Sequence, residues 1–278
     1  MNPLRQLDEE GVLLLTLDRP ERRNAFDDAQ WDGLADALNE AREDPRVAVV
    51  VLTGTGGDFS SGVDLSSFGR GRAEPRNDGH ATAFHALVAA VFDFDKPLIA
   101  AVRGVAVGGG CTLAVACDLV YVGESARLRL PFANLGLVPE LASSYTLQAA
   151  IGRQRAAEVM FTAEWIDAGR AVELGMAARR LPDDELLEAA LAKAREIAQW
   201  PVSALRAIKQ TLQAAHRAGI EAARRIEDKR MARQAGSPEN LEAIRAFVEK
   251  RPPDFKQFRA PAPADPASDG DPGSSEEP

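Results

Sequence analysis

Pro97-Leu98-Ile99-Ala100-Ala101-Val102-Arg103-Gly104-Val105-Ala106-Val107-Gly108-Gly109-Gly110-Cys111-Thr112-Leu113-Ala114-Val115-Ala116 is the stretch whose reading settles the architecture. It opens with an unbroken apolar run, Pro97 to Val102, passes through a glycine-rich turn, and ends in an Ala/Leu/Val-rich segment that reads as a buried helix. A strand apolar on both faces belongs in the middle of a covered sheet, and a helix directly after it marks an α/β arrangement. Free N–H groups at the start of that helix are natural donors to negative charge.

Upstream the same order recurs. Val47 to Leu52 is a second central strand, closed by Thr53-Gly54, and it runs into Gly54-Thr55-Gly56-Gly57-Asp58-Phe59-Ser60-Ser61-Gly62-Val63-Asp64-Leu65. Glycines there let the backbone pass close to a ligand. Val12 to Leu17 is a further strand ended by Asp18-Arg19-Pro20; Asp27 or Asp28 can then cap a helix to about Arg42, whose Trp31, Leu34, Ala35 and Leu38 share one face. Ser66 to Gly79 is polar and without hydrophobic period, and is expected to be a mobile loop. After Pro182 the pattern is wholly helical: Asp183 to Gln199, Pro201 to His216, Ile220 to Gln234 and Pro238 to Lys250. The expected organisation is an α/β core over residues 1–182, a helical region over 183–258, and a disordered tail over 259–278, where Pro, Ala, Asp, Ser and Glu leave little to bury.

A net charge of −9 works against broad attraction to nucleic acid or anionic membranes, so an anionic ligand must be met by local groups. No apolar run approaches the roughly 20 residues of a membrane helix, and no leader-like segment is evident; a soluble, cytoplasmic protein is expected. Cys111 and Cys117 read as core residues, and His80, His85 and His216 as scattered surface or loop residues, so neither a disulfide nor a metal site is expected.

Each glycine turn alone is weak evidence. Two turns following neighbouring strands, however, can aim one N–H each at a single oxygen, the geometry of an oxyanion hole. A phosphate cradle is the competing reading, but neither turn ends in the Lys-Ser/Thr of a P-loop.

At this point several ordered segments resemble the crotonase superfamily, the enoyl-CoA hydratases and isomerases. They are Asp18 to Phe26, Val51 to Gly54, Phe59 to Leu65, Gly104 to Asp118, Pro131 to Pro139, and Phe247 to Arg251. The resemblance implies a spiral of ββα units with a C-terminal helical region, assembled as a homotrimer or a pair of trimers. It assigns the oxyanion donors to the N–H groups of Val63 and Gly109. It also implies an acyl-CoA substrate, with coenzyme A carried in by that substrate and no separate cofactor. The wall for CoA would include Arg23, Ala25, Ser61, Val63, Asp64, Leu65 and Ser66, with Phe247 and Lys250 reaching it from a neighbouring subunit.

Where hydratases of this family carry two glutamates, this sequence has Thr112 and Phe132, neither of which can act as a carboxylate base. Glu140, directly after Pro139, resembles the proton-shuttling acid of the enoyl-CoA delta isomerase branch. Alternatively, it is an ordinary acid in the first turn of a helix begun by Pro139. The reading that follows is isomerisation of a 3-enoyl-CoA to the 2-trans isomer, with Phe132 packing against the acyl chain. A hydratase-like enzyme, a non-catalytic acyl-CoA binder and a phosphate-binding module stand as alternatives.

Overall fold

The computed structural model describes residues 2–64 and 81–259. Leu65, Ser66, His80, the loop expected from Ser66 to Gly79 and the tail from Ala260 lie outside the described residues.

Strands β1 (Leu4–Leu7), β2 (Val12–Leu17), β3 (Val49–Gly54), β4 (Leu98–Val102), β6 (Leu119–Gly123) and β9 (Arg179–Leu181) form one sheet in that spatial order, antiparallel at β1/β2 and parallel elsewhere. The runs read as central strands are central: β3 lies between β2 and β4, and β4 between β3 and β6. Their side chains divide by parity. Val50, Leu52, Leu98 and Ala100 join the main core, whereas Val49, Val51, Ile99 and Ala101 face the opposite side.

The main core lies under helices α1 (Asp28–Glu43), α2 (Ala83–Asp93) and α3 (Gly109–Ala116). Leu34, Leu38, Leu87 and Leu113 are all fully buried there. Asp27 caps α1 by accepting from the Gln30 N–H. Short strands β5 (Val105–Val107), β7 (Arg127–Arg129) and β8 (Ile166–Asp167) build a second layer, extended by parallel bridges Phe26↔Val63 and Ser60↔Ala106. The passages through β2, β3, β4 and β6 are each followed by a brief pairing in the second layer and then a helix, which is the expected ββα spiral.

After α4 (Ser143–Ile151), α5 (Arg153–Thr162) and α6 (Ala168–Leu174), the opposite face of the sheet is covered by α7 (Leu186–Ala198), whose Leu186, Ala190 and Ala194 pack on Val49, Val51 and Ile99. Then follow α8 (Val202–Ala214), α9 (Arg217–Gln234) and α10 (Pro238–Val248). The last begins at a Ser237 cap, as its Ser-Pro signal predicts. None of the described helices is long and apolar enough to cross a membrane.

Two local expectations are corrected. Pro139 and Glu140 do not open a helix: α4 (Ser143–Ile151) starts three residues later, because Leu141 and Ala142 take left-handed φ values of 55° and 54° that interrupt any helix from Pro139. His85 is not a surface or loop residue either; it sits half-buried on α2, its Nδ1 beside the Thr82 hydroxyl at 2.7 Å.

Candidate active site

Segments 59–63 and 103–109 run side by side. The Phe59 N–H donates to Arg103 O at 2.8 Å, the Ser60 N–H to Val105 O at 3.0 Å, and the Val107 N–H to Ser60 O at 3.0 Å. So close an approach requires glycine. A Cβ on Gly62 would stand 2.4 Å from Val107 O and 3.3 Å from Gly109 N, and its φ of +84° already disfavours any side chain. A Cβ on Gly110 would lie 2.4 Å from Ser60 O. The two glycine turns of the sequence are therefore interlocked.

Neighbouring backbone groups leave two amides over. Gly62 O accepts from the Phe26 N–H and Phe26 O from the Asp64 N–H, which passes over Val63; Gly109 is the first residue of α3, with no preceding helical carbonyl. Among the described residues neither the Val63 nor the Gly109 N–H donates to a protein acceptor.

Buried Asn24 ties the loop before α1 to the first turn: its Nδ2 donates to Thr55 O at 3.0 Å and Asp58 O at 2.8 Å, while its Oδ1 accepts from the Arg19 N–H. Arg19 also pairs with Asp64 at 2.8 Å. These contacts carry Arg23, Ala25, Ser61, Val63 and Asp64 to the wall of one cavity of about 1010 Å³, together with Gly109, Phe132, Glu140 and Phe247. That size suits a small-molecule site. Arg22, Arg23, Arg129 and Arg251 also line it, giving an acidic chain the local positive groups an anionic ligand needs. Phe247 reaches the cavity of its own chain, so the expected approach from a neighbour is not required for it. Lys250 lies beyond the end of α10 in a left-handed conformation, exposed, and does not line the cavity.

Glu140 enters between α3 and α9. Its Oε1 accepts from the Thr112 hydroxyl at 2.6 Å, and its Oε2 is buried without a partner. The residue as a whole is half-exposed, but the carboxyl end is inside. Burial pushes that carboxyl up from 4.5 to about 8; the Thr112 hydroxyl acts against the rise and the charge of Glu227 adds to it. Cys111, next door on α3, is pushed up to about 12 by burial and is an inert thiol. The sequence reading missed Glu227 and misjudged His85, both of which line the same cavity. The signal for Glu227 was an acid four residues after Ala223 on the buried stripe of α9.

This burial implies a pH-dependent penalty on folding. The folded Glu140 binds its proton more tightly than the unfolded chain, so its contribution to stability is complete below about pH 4.5 and is lost as pH rises through about 8. The loss is on the order of 5 kcal/mol. Glu140→Gln should therefore match the parent protein in urea unfolding near pH 4.5 and exceed it by several kcal/mol above about pH 8. Equal stability gaps at both pH values would contradict the burial assigned to this carboxyl.

The enoyl-CoA hydratase/isomerase family model matches residues 8–259. The chain is 36% identical over 249 residues to a 2,3-dehydroadipyl-CoA hydratase of Escherichia coli, covering 89% of this chain and 96% of that protein. It is 33% identical over 250 residues to a 1,2-epoxyphenylacetyl-CoA isomerase of the same organism, covering 89% and 95%. Among solved structures, an enoyl-CoA hydratase/isomerase from Pseudoalteromonas atlantica superposes with a TM-score of 0.85 at 32% identity, covering 92% of this chain and all of that one.

Proposed function

The chain belongs to the enoyl-CoA hydratase/isomerase family, and on that footing we propose that it isomerises a 3-enoyl-CoA to the 2-trans-enoyl-CoA with Glu140 as the proton shuttle. The observation that carries this reading is a buried carboxyl, anchored through one oxygen by Thr112 and without a partner at the other, on the same cavity as two unengaged amides.

The thioester oxygen is held by the Val63 and Gly109 N–H groups, which stabilise the dienolate formed as the C2 proton leaves. Glu140 Oε2 takes that proton and returns it at C4, so one base serves both transfers. A carboxyl that ionises near pH 8 is a stronger base than an ordinary glutamate, which favours removing a proton from carbon. Phe132 and the apolar wall keep water from the intermediate. Arg23, Ala25, Ser61 and Asp64 on the cavity wall receive the CoA moiety together with Phe247, while Leu65, Ser66 and Lys250 are given this role by the family resemblance alone; CoA arrives on the substrate. Assembly as a homotrimer or a pair of trimers is part of the same proposal and rests on the family resemblance; exposed Ile208 and Leu212 on α8 are apolar side chains that a subunit contact would cover.

Hydration is the second reading, favoured by the name of the dehydroadipyl-CoA relative. It asks for a second carboxylate to activate water, and the nearby candidate, Glu227, already accepts a backbone N–H on each oxygen. The two readings part in one assay, with 3-hexenoyl-CoA and 2-trans-hexenoyl-CoA offered separately. Conversion of the first to the second without formation of a 3-hydroxyacyl product is expected, with kcat/KM rising as pH passes about 8, because the base must be ionised in the free enzyme. Hydration of the 2-enoyl substrate, with the 3-enoyl substrate untouched, would overturn the proposal.

A further inference from the structure

The turn after Glu140 is held in a conformation its residues do not prefer. Leu141 and Ala142 are consecutive non-glycine residues with φ of 55° and 54°, so the surroundings must impose the turn. The α4 N-terminus that follows has no capping side chain of its own, since the cap position is Ala142. Glu227, reaching across from α9 and 4% exposed, fills that role: its Oε2 accepts from the Ala142 N–H at 2.8 Å and its Oε1 from the Ser144 N–H at 2.9 Å. Both oxygens are committed to the backbone immediately after the proposed base.

Two buried carboxyls thus share one region with unequal support. Glu227 has two amide donors and the positive end of a helix; Glu140 has one hydroxyl donor. Burial pushes both carboxyls up, but the two backbone N–H donors act against the rise at Glu227, so negative charge settles on Glu227 before Glu140. The other titratable groups near Glu140 are the Cys111 thiol of α3 and, on α9, Asp228, which pairs with His85 of α2 at 3.4 Å. Among the described residues Glu227 has no ion pair to cancel its charge.

Resting on the isomerase reading, we propose that Glu227 is a positioning residue for Glu140: its carboxylate clamps the left-handed turn that sets the base in the cavity, and its charge opposes ionisation of that base, so that the carboxylate, once formed, takes the C2 proton strongly.

The test compares Glu227→Gln, Glu227→Asp and Glu140→Gln with the parent enzyme, using the pH dependence of kcat/KM for 3-hexenoyl-CoA. Infrared spectra of the free proteins follow in parallel the protonated-carboxyl band that Glu140→Gln removes. Glu227→Gln should shift the acid limb and the band's titration to lower pH by about one unit, because the repelling charge is gone. It should also lower kcat by about tenfold, because an amide cannot accept from both N–H groups. Glu227→Asp keeps the charge, so its limb should stay in place while kcat falls, since the shorter side chain cannot reach both amides. A merely structural cap would lower stability without moving the limb, and an unmoved limb and band in Glu227→Gln would overturn the proposal. If that variant does not fold, an unchanged kcat in Glu227→Asp overturns it instead. Failure of the isomerase reading is separate: Glu140→Gln would then keep its activity, while the infrared titration would still report whether Glu227 governs that proton.

Discussion

Glu140→Gln is expected to lower turnover of 3-hexenoyl-CoA by about a hundred- to ten-thousand-fold, the usual worth of a positioned general base. The substitution keeps the shape of the side chain, and its amide oxygen can still accept from the Thr112 hydroxyl that holds Oε1. What disappears is the ability of the free, buried Oε2 to take up a proton. Acyl-CoA affinity should barely change, because the groups proposed to grip the thioester are main-chain amides on other segments. Exchange of the C2 hydrogen with deuterated solvent should be lost together with turnover, since both need the same proton transfer. Misfolding is a poor explanation for such a loss, as removing a carboxyl pushed up to about 8 favours the folded state at neutral pH. Full turnover by a folded Glu140→Gln protein would move the base elsewhere on the cavity wall, with Asp228 the first residue to test.

The parts of this fold that the sequence disclosed were those set by local pattern. Val49 to Leu52 are β-branched or Leu without interruption, and only a strand covered on both faces, by α7 on one side and the main core on the other, buries all of them. The glycine turns were visible too, although neither spacing nor composition could say that a Cβ on Gly62 would strike Val107 O. That contact depends on two segments pairing far apart in the chain, 47 residues in the case of Asp58 and Val105, and periodicity carries no information at that range. Glu140 was singled out through resemblance, while its local signal pointed the wrong way. Pro-Glu reads as the first turn of a helix, but the acid that caps α4 is Glu227, contributed by a segment 85 residues away from Ala142. An acid on the apolar stripe of α9 was legible as an anomaly; its partners were not.

The second large effect concerns the amide of Gly109, and it has to be separated from the space around that residue. A Cβ there would come within 3.0 Å of Trp31 Cη2, and Trp31 cannot retreat easily because it stacks on Phe26 with ring centroids 3.8 Å apart. Gly109→Ala therefore adds the steric disturbance and keeps the N–H, whereas Gly109→Pro adds a similar Cβ and deletes the N–H. Position helps the comparison, since Gly109 is the first residue of α3, where proline is tolerated by the helix. Gly109→Ala is expected to show a modest loss in kcat and a small loss of stability from overpacking. Gly109→Pro should fall a further hundred- to thousand-fold or so in kcat, the typical effect of removing one oxyanion donor. Its KM should rise as well, because the proline Cδ takes the place of the N–H hydrogen that faces the thioester oxygen. Equal rates in the two variants, with both folded and binding acyl-CoA, would mean that the Gly109 amide does not meet the developing charge. The reaction would then have to rely on Val63 alone or on a different donor pair.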